Sequence, residues 1–517
     1  MLPQGMIMFS HRRPGPLFFP GVLILAIGTL VVSLMWPVSP KYMPRETLRS
    51  SFDADMSRVV CAWDPLDPRP ETQRRDALFD FVYEGYQSSV WVPQAVLEGN
   101  WLTRMFLGSS HTIASSRVGL VPWTDNEAVA AFGMAPNPAP DQPLGWSINC
   151  LVCHTAEIDG VAYFGAGAKT LDEKTLASTV KLVTSPAGRY RLERGGLDDQ
   201  MAVHANEVML RHHHDQIDPL TCGRSTAFPA SHVEMYMRAH GSRMPGNDEV
   251  GRGDVKTPPL WHTVAKMPFK RWYCDGSFHA SLPLMASSME LELDQSFEKL
   301  VASVIPTIKR DFDMVIRHLR PPRYPYAIDT ALAAKGKALF YSEETGCAKC
   351  HGVYDQNGGV EWTGVHVDVG TDRARLEVVT DGFIDAFNRS PLASEGRLVP
   401  SVGYAATPLT GVWANYPYLH NGSVPTLHHL LGPVSERPRL FSVKSASRFD
   451  RQLCGQQLYS DDAVGRLSEL ERAERFGTDP NWFNASREGC GNEGHDFWSR
   501  IGSDANRRAL IEYLKTL

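Results

Sequence analysis

The sequence predicts a mainly α-helical protein with long loops, built as two tandem modules behind an N-terminal membrane anchor. Three observations predict it. One pentapeptide pattern, Cys-x-x-Cys-His, occurs twice; amphipathic stretches lie before its second copy and at the C-terminus; and an uncharged apolar run lies near the N-terminus. With 517 residues, 43% hydrophobic and 21% charged, the chain has ample material for buried cores and is not a disordered or coiled-coil composition. Its net charge is −6 and its 52 Lys and Arg are scattered, so no basic footprint for a nucleic-acid backbone is present and nucleic acid is not an expected partner.

The anchor is read from residues 17–36, which carry no charge and, at about 20 residues, suffice to cross a bilayer's hydrocarbon core. His11, Arg12 and Arg13 precede the run, and the positive-inside tendency keeps them cytoplasmic and exports everything after Trp36. The rival readings are a cleaved signal peptide, for which no small-x-small site precedes Pro37, and a buried core helix. The expected location is therefore a single-pass cell-membrane protein with its body on the periplasmic side.

The nine cysteines organise the rest. Cys150-Leu151-Val152-Cys153-His154 and Cys347-Ala348-Lys349-Cys350-His351 are the attachment signature of c-type haem. Two thiols three residues apart on a tight turn reach both vinyl groups of one porphyrin, and the adjacent imidazole swings under the iron as proximal ligand. At this chain's Cys and His frequencies one such pentapeptide is expected by chance roughly 0.005 times, so two copies carry strong weight. A zinc site would need four thiolate or imidazole ligands close together, and a redox Cys pair needs no following His. Two covalently attached haems are the expected cofactors. Of the remaining five cysteines, Cys454 and Cys490 are candidates for a disulfide, while Cys61, Cys222 and Cys274 are open.

Along the chain, residues 41 to about 145 are aromatic-rich (Phe79, Phe81, Tyr83, Trp91, Trp101) and read as a helical and loop collar on the first haem domain. Pro136 to Pro143 make an extended entry to the first motif. Pro321, Pro322 and Pro325 mark a boundary, followed by an amphipathic stretch from Asp329 to Phe340 that leads into the second motif. A closing helix spans Asp504 to Leu517, with Leu510, Ile511 and Leu514 on one face. The expected division is 1–40 tail and anchor, 41–325 N-terminal haem domain, and 326–517 C-terminal cytochrome c domain. A weak internal repeat supports two modules: Thr257-Pro258-Pro259-Leu260 trails the first motif and Thr407-Pro408-Leu409 the second, each followed by an aromatic, Gly-Ser-containing stretch.

These residues resemble the bacterial di-haem cytochrome c peroxidase superfamily, and within it the rubber oxygenase group more closely. The matching stretches are Asn149 to Thr155, Thr257 to Trp261, Gly336 to Gly352, Pro417 to Leu427, and Gly494 to Phe497 with the terminal helix. The resemblance implies two cytochrome c-like haem modules in tandem with divided labour. The N-terminal haem, with His154 as proximal ligand, takes dioxygen or hydrogen peroxide; the C-terminal haem, with His351, relays electrons to or from a donor or acceptor protein. For its sixth ligand His495 resembles the distal histidine of the oxygenase group, with His420 as competitor. Trp261, Trp272 and Tyr273 are the candidate catalytic residues, in the segment expected to cover the first iron, where aromatic walls favour dioxygen and an apolar substrate. Plain core packing is the alternative for each, and His262 or Met267 is a candidate to ligate that iron and close the site. The expected activity is that of a haem-dependent oxidoreductase, peroxidase or dioxygenase-like. An electron carrier without turnover is the alternative, which the chain's size disfavours. His212-His213-His214 reads as an exposed turn, and Gly165 to Thr170 lacks the glycine that a phosphate loop needs before its lysine.

Overall fold

In the computed structural model short helices alternate with small sheets; it describes residues 45–85, 91–93, 118–122, 131–132, 134–136, 145–172, 224–225, 255–281, 300–355, 358–377, 379–389, 391–394, 396–459, 462–479 and 481–517. Among these residues are thirteen α-helices, the longest being Glu71–Tyr83 with 13 residues, and eight sheets of two or three strands. The expectation of a mainly α fold is therefore corrected. Strands of two to four residues are too short for apolar and polar positions to alternate visibly, and some, such as Leu440–Ser442, are buried throughout. The membrane anchor and the single-pass membrane location built on it are also corrected: among the described residues no helix is long and apolar enough to cross a membrane. Residues 17–36, on which that expectation fell, lie outside the described residues.

The two expected amphipathic helices are present and cross each other. Thr330–Phe340 starts where the Asp329 carboxylate accepts from Leu332 N at 2.9 Å. Asp504–Leu514 starts where the Ser503 hydroxyl accepts from Asn506 N at 3.2 Å. They meet at Gly336, where an added Cβ would lie 1.8 Å from the Ala509 carbonyl oxygen, so hydrogen is the only side chain the crossing admits. Phe340 and Tyr513 pack beside it, ring centroids 5.3 Å apart. The chain end is fastened in turn, since the Leu517 carbonyl accepts from Gly411 N at 2.9 Å.

The first motif lies on a 3₁₀ turn, Cys150–Val152, after strand Gly145–Ile148. The Asn149 side chain caps that turn, accepting from Leu151 N at 3.0 Å and donating to the Val82 carbonyl at 3.0 Å, which ties the motif to helix Glu71–Tyr83. The hairpin Thr155–Ile158 and Val161–Phe164 follows, and Val59–Val60 adds to it in parallel. The second motif forms helix Cys347–His351, entered through Gly346 at φ 66°. Both parts share one main core that includes Phe79, Leu151, Phe164, Phe340, Trp413 and Leu510. One sheet joins chain from both, with Phe278–Ala280 between Arg271–Trp272 and Gly396–Leu398. A small second core holds Phe441, Val443, Phe483 and Cys490, apart from Cys454 in the main one; Cys454 and Cys490 do not pair.

The crossing at Gly336 makes a direct prediction. Gly336→Ala forces the two helices apart and destabilises the fold by about 1–3 kcal/mol despite alanine's better helix propensity. Thermal unfolding of the variant shows a lower Tm; an unchanged or higher Tm would contradict the close approach.

Candidate functional site

At the first motif the chain folds back on itself. Gly165 N donates to the His154 carbonyl at 2.9 Å and Ala168 N to the Cys153 carbonyl at 2.7 Å. At Gly167 a Cβ would lie 2.1 Å from the Thr257 carbonyl oxygen, so glycine lets the Thr257-Pro258-Pro259 segment press against the motif. Leu260 N then donates to the Gly165 carbonyl at 2.8 Å. His154 is half-buried with its Nδ1 enclosed, and this desolvation pulls its pKa down to about 4 against the opposing pull of the Pro258 carbonyl, so the imidazole is neutral as a metal ligand must be. Burial likewise pushes the Cys150 thiol up to about 12, which leaves a neutral thiol rather than a thiolate poised for exchange.

At the second motif the histidine ring is fixed by a hydrogen bond. His351 Nδ1 donates to the Thr407 carbonyl at 2.9 Å, which fixes the proton on Nδ1 and leaves the Nε2 lone pair for an iron. Tyr354 braces the pair: its hydroxyl donates to the His351 carbonyl at 2.7 Å and accepts from Leu409 N at 2.9 Å. Thr407, in the second copy of the internal Thr-Pro repeat, thus supplies the carbonyl that holds His351, whereas His154 Nδ1 is enclosed without a hydrogen-bond partner among the described residues.

The structure brings His495 to His351. Their ring centroids are 6.3 Å apart. Two imidazoles bonded on opposite sides of one metal ion, each at about 2 Å, have centroids about 6 Å apart, so the space between them fits an iron. His495 is reached through two consecutive left-handed residues, Gly494 at φ 72° and His495 at φ 47°, and its N–H donates to the Val369 carbonyl at 2.9 Å. Burial first, and then His351, hold its pKa down to about 3. With the two cysteines of helix Cys347–His351 not joined in a disulfide, the donor set fits a c-type haem. His420 is placed differently, its ring stacked on Tyr404 at 3.8 Å.

Trp261 lies where the two modules meet. Its ring is the wall beside Gly165 and Gly411, and Nε1 donates to the Thr410 carbonyl at 3.0 Å. His262 Nε2 binds the same carbonyl at 2.9 Å, and Met267 packs against the main core. Trp272 is buried with Nε1 on the Ala280 carbonyl at 2.8 Å, and Tyr273, at φ 62°, stacks on Phe278 with centroids 5.4 Å apart. Trp272 and Tyr273 thus pack with the C-terminal half through Phe278 and Phe387, while Trp261 adjoins the His154 segment. Lys169, from the segment that superficially resembles a phosphate loop, donates to the Ala414 and Tyr416 carbonyls at 2.7 and 2.8 Å. His212, His213 and His214 lie outside the described residues.

Sequence reasoning missed a buried ion pair beside Tyr273. Arg375 Nη2 lies 3.3 Å from Asp275 Oδ2, with side-chain exposures of 1% and 0%. Asp275 also accepts from Ser277 Oγ at 3.0 Å and Ser401 Oγ at 3.2 Å. The residues are a hundred positions apart, and no local pattern links them.

A family described as "RoxA-like, cytochrome c-like" matches residues 403–442. That stretch contains neither Cys-x-x-Cys-His copy, but it holds Thr407, the carbonyl partner of His351. The match supports a relationship to rubber oxygenase-like c-type cytochromes, and a cytochrome c-like domain implies a covalently bound c-type haem with its iron. It is consistent with a haem-dependent oxidoreductase in general and with an electron-transfer role. Two curated proteins of Sinorhizobium fredii (strain NBRC 101917 / NGR234) are similar. "Uncharacterized protein y4iJ" is 28% identical over 301 residues, 46% of this chain and 47% of that protein. "Uncharacterized protein y4iM" is 33% identical over 297 residues, 50% of this chain and 60% of that protein. The chain thus covers less than two thirds of either relative.

Asp275→Asn leaves Arg375 buried without its counter-charge and costs about 3–5 kcal/mol. Urea unfolding measures it, and combining D275N with Arg375→Met recovers part of the loss. Strictly additive losses would show that the two side chains do not act as a pair.

Proposed function

We propose that the chain is a di-haem c-type cytochrome oxidoreductase, in the manner of the di-haem peroxidases and rubber oxygenases. The C-terminal haem relays electrons and the N-terminal haem takes dioxygen or hydrogen peroxide. The observation that carries the reading is the 6.3 Å separation of the His351 and His495 rings in front of the second Cys-x-x-Cys-His. When bound, such a haem supplies an iron that changes oxidation state and, where a coordination position is open, accepts a small oxygen species.

The chain's own residues divide the work. His351 and His495, 6.3 Å apart, would hold the iron of a bound haem between them, an arrangement that would suit electron passage without ligand exchange. His154, neutral because its ring is desolvated, would hold the iron of the other. His262, a candidate to close that second face, is engaged through Nε2 with the Thr410 carbonyl. Trp261 adjoins the segment bonded to His154 and reaches Thr410, three residues after the carbonyl that holds His351, so it is the aromatic group best placed to carry electrons between the modules. Trp272 and Tyr273 pack apart from it, with Phe278 and Phe387, and serve there as core. An electron donor or acceptor protein completes the cycle.

The test begins with haem content. Intact mass and the pyridine haemochrome of the purified chain give two covalent haems; C150S/C153S and C347S/C350S each give one. On mixing the half-reduced protein with peroxide, Trp261→Phe slows electron transfer between the haems by about tenfold or more, a barrier change of about 1.4 kcal/mol, at unchanged haem content. One haem per wild-type chain, or no reaction with either oxidant, would overturn the proposal.

A further inference from the structure

Arg437 is a buried cation whose hydrogen bonds all go to carbonyl oxygens. It follows the 3₁₀ turn Val434–Glu436 and is 4% exposed. Nη1 donates to the Asn492 carbonyl at 2.6 Å and to the Gly494 carbonyl at 2.8 Å. Nη2 reaches the His495 and Leu430 carbonyls, each at 3.4 Å, and Nε the His429 carbonyl at 3.3 Å. Three of these five acceptors belong to the short run that ends in His495, and two to helix Leu427–Leu431.

That run adopts a conformation it would not take alone. Gly494 and His495 are both left-handed, and for a histidine that backbone is unfavourable unless its surroundings impose it. The opposite side of the run is fixed by the 369–372 segment. His495 N donates to the Val369 carbonyl at 2.9 Å, Gly491 N to Asp372 Oδ2 at 3.0 Å, and Gly494 is packed so closely that a Cβ would lie 2.3 Å from the Gly370 carbonyl carbon. Without Arg437 the carbonyls at 492, 494 and 495 would be left partly buried and without these donors.

We propose that Arg437 is a positioning residue for the second haem: its guanidinium locks the Gly494–His495 turn from the side opposite Val369 and so sets the His495 ring against His351. The inference rests on the reading of His495 as the second axial ligand. A planar fork with five N–H donors fits five carbonyls spread over two segments, whereas a lysine offers three donors from one point.

The test uses the full haem-loaded chain as wild type, Arg437→Gln, Arg437→Lys and His495→Ala, with Arg439→Gln as an exposed neighbouring control. Low-temperature EPR reads the spin state of the second iron, and carbon monoxide binding to the reduced protein reads whether its sixth position opens. In wild type and R439Q that iron is low-spin and excludes carbon monoxide; in H495A it is high-spin and open. R437Q raises carbon monoxide binding at the second haem by about tenfold, as losing a support behind a metal ligand does, and splits the low-spin signal. R437K, which retains the charge if R437Q fails to load haem, gives the same effect at smaller size. Wild-type spectra and carbon monoxide exclusion in R437K together with a lowered Tm would assign Arg437 a structural role only and overturn the inference. A low-spin second iron that persists in H495A would instead overturn the ligand assignment beneath it.

Discussion

A histidine that serves a c-type haem must offer one nitrogen to the iron while its ring is held through the other, and both Cys-x-x-Cys-His histidines here are half-buried. At His351 the chain meets that constraint with a backbone carbonyl brought from far along the sequence, that of Thr407. Other close contacts hold the chain against the two motifs. Gly167 lets Thr257 approach the first motif, and the Leu517 carbonyl and Tyr354 hydroxyl pin the 409–411 stretch behind the second. A histidine with its proton fixed on Nδ1 is a better and better-aimed ligand than one free to rotate.

The same logic extends to His495, which the sequence marks through the resemblance of the Gly494 to Phe497 stretch. Its ring is aimed by an unfavourable backbone, which the 369–372 segment and Arg437 together over-determine. The two modules are not separate beads on a string. Trp261 binds Thr410, Lys169 caps the carbonyls of Ala414 and Tyr416, and strand Phe278–Ala280 pairs with Gly396–Leu398. The interior between these segments is thus aromatic and polar in small patches.

Parts of this were legible in the sequence for physical reasons. Cys-x-x-Cys-His is a local pattern because both thiols and the imidazole must reach one macrocycle, and the helices Thr330–Phe340 and Asp504–Leu514 announce themselves by apolar positions on one face. The Thr-Pro repeat was visible as a repeat, although the role of Thr407 as the carbonyl acceptor for His351 was not, since a backbone carbonyl has no residue signature. The small sheets were missed because two-residue and three-residue strands show no alternation. Arg437, Arg375 and Asp275 were missed because their partners lie tens to a hundred residues away, or are backbone atoms. Aromatic residues grouped as one catalytic segment divide in the structure: Trp261 adjoins the His154 side, while Trp272 and Tyr273 pack with Phe278 and Phe387.

The central claim is that one iron lies between His351 and His495. Near-infrared magnetic circular dichroism of the oxidised, haem-loaded chain addresses it most directly, because the low-spin charge-transfer band reports the pair of axial ligands. The account predicts a band characteristic of two imidazoles at one haem per chain, beside a second haem without it. A histidine–methionine band, or two irons both lacking a low-spin charge-transfer band, would contradict it.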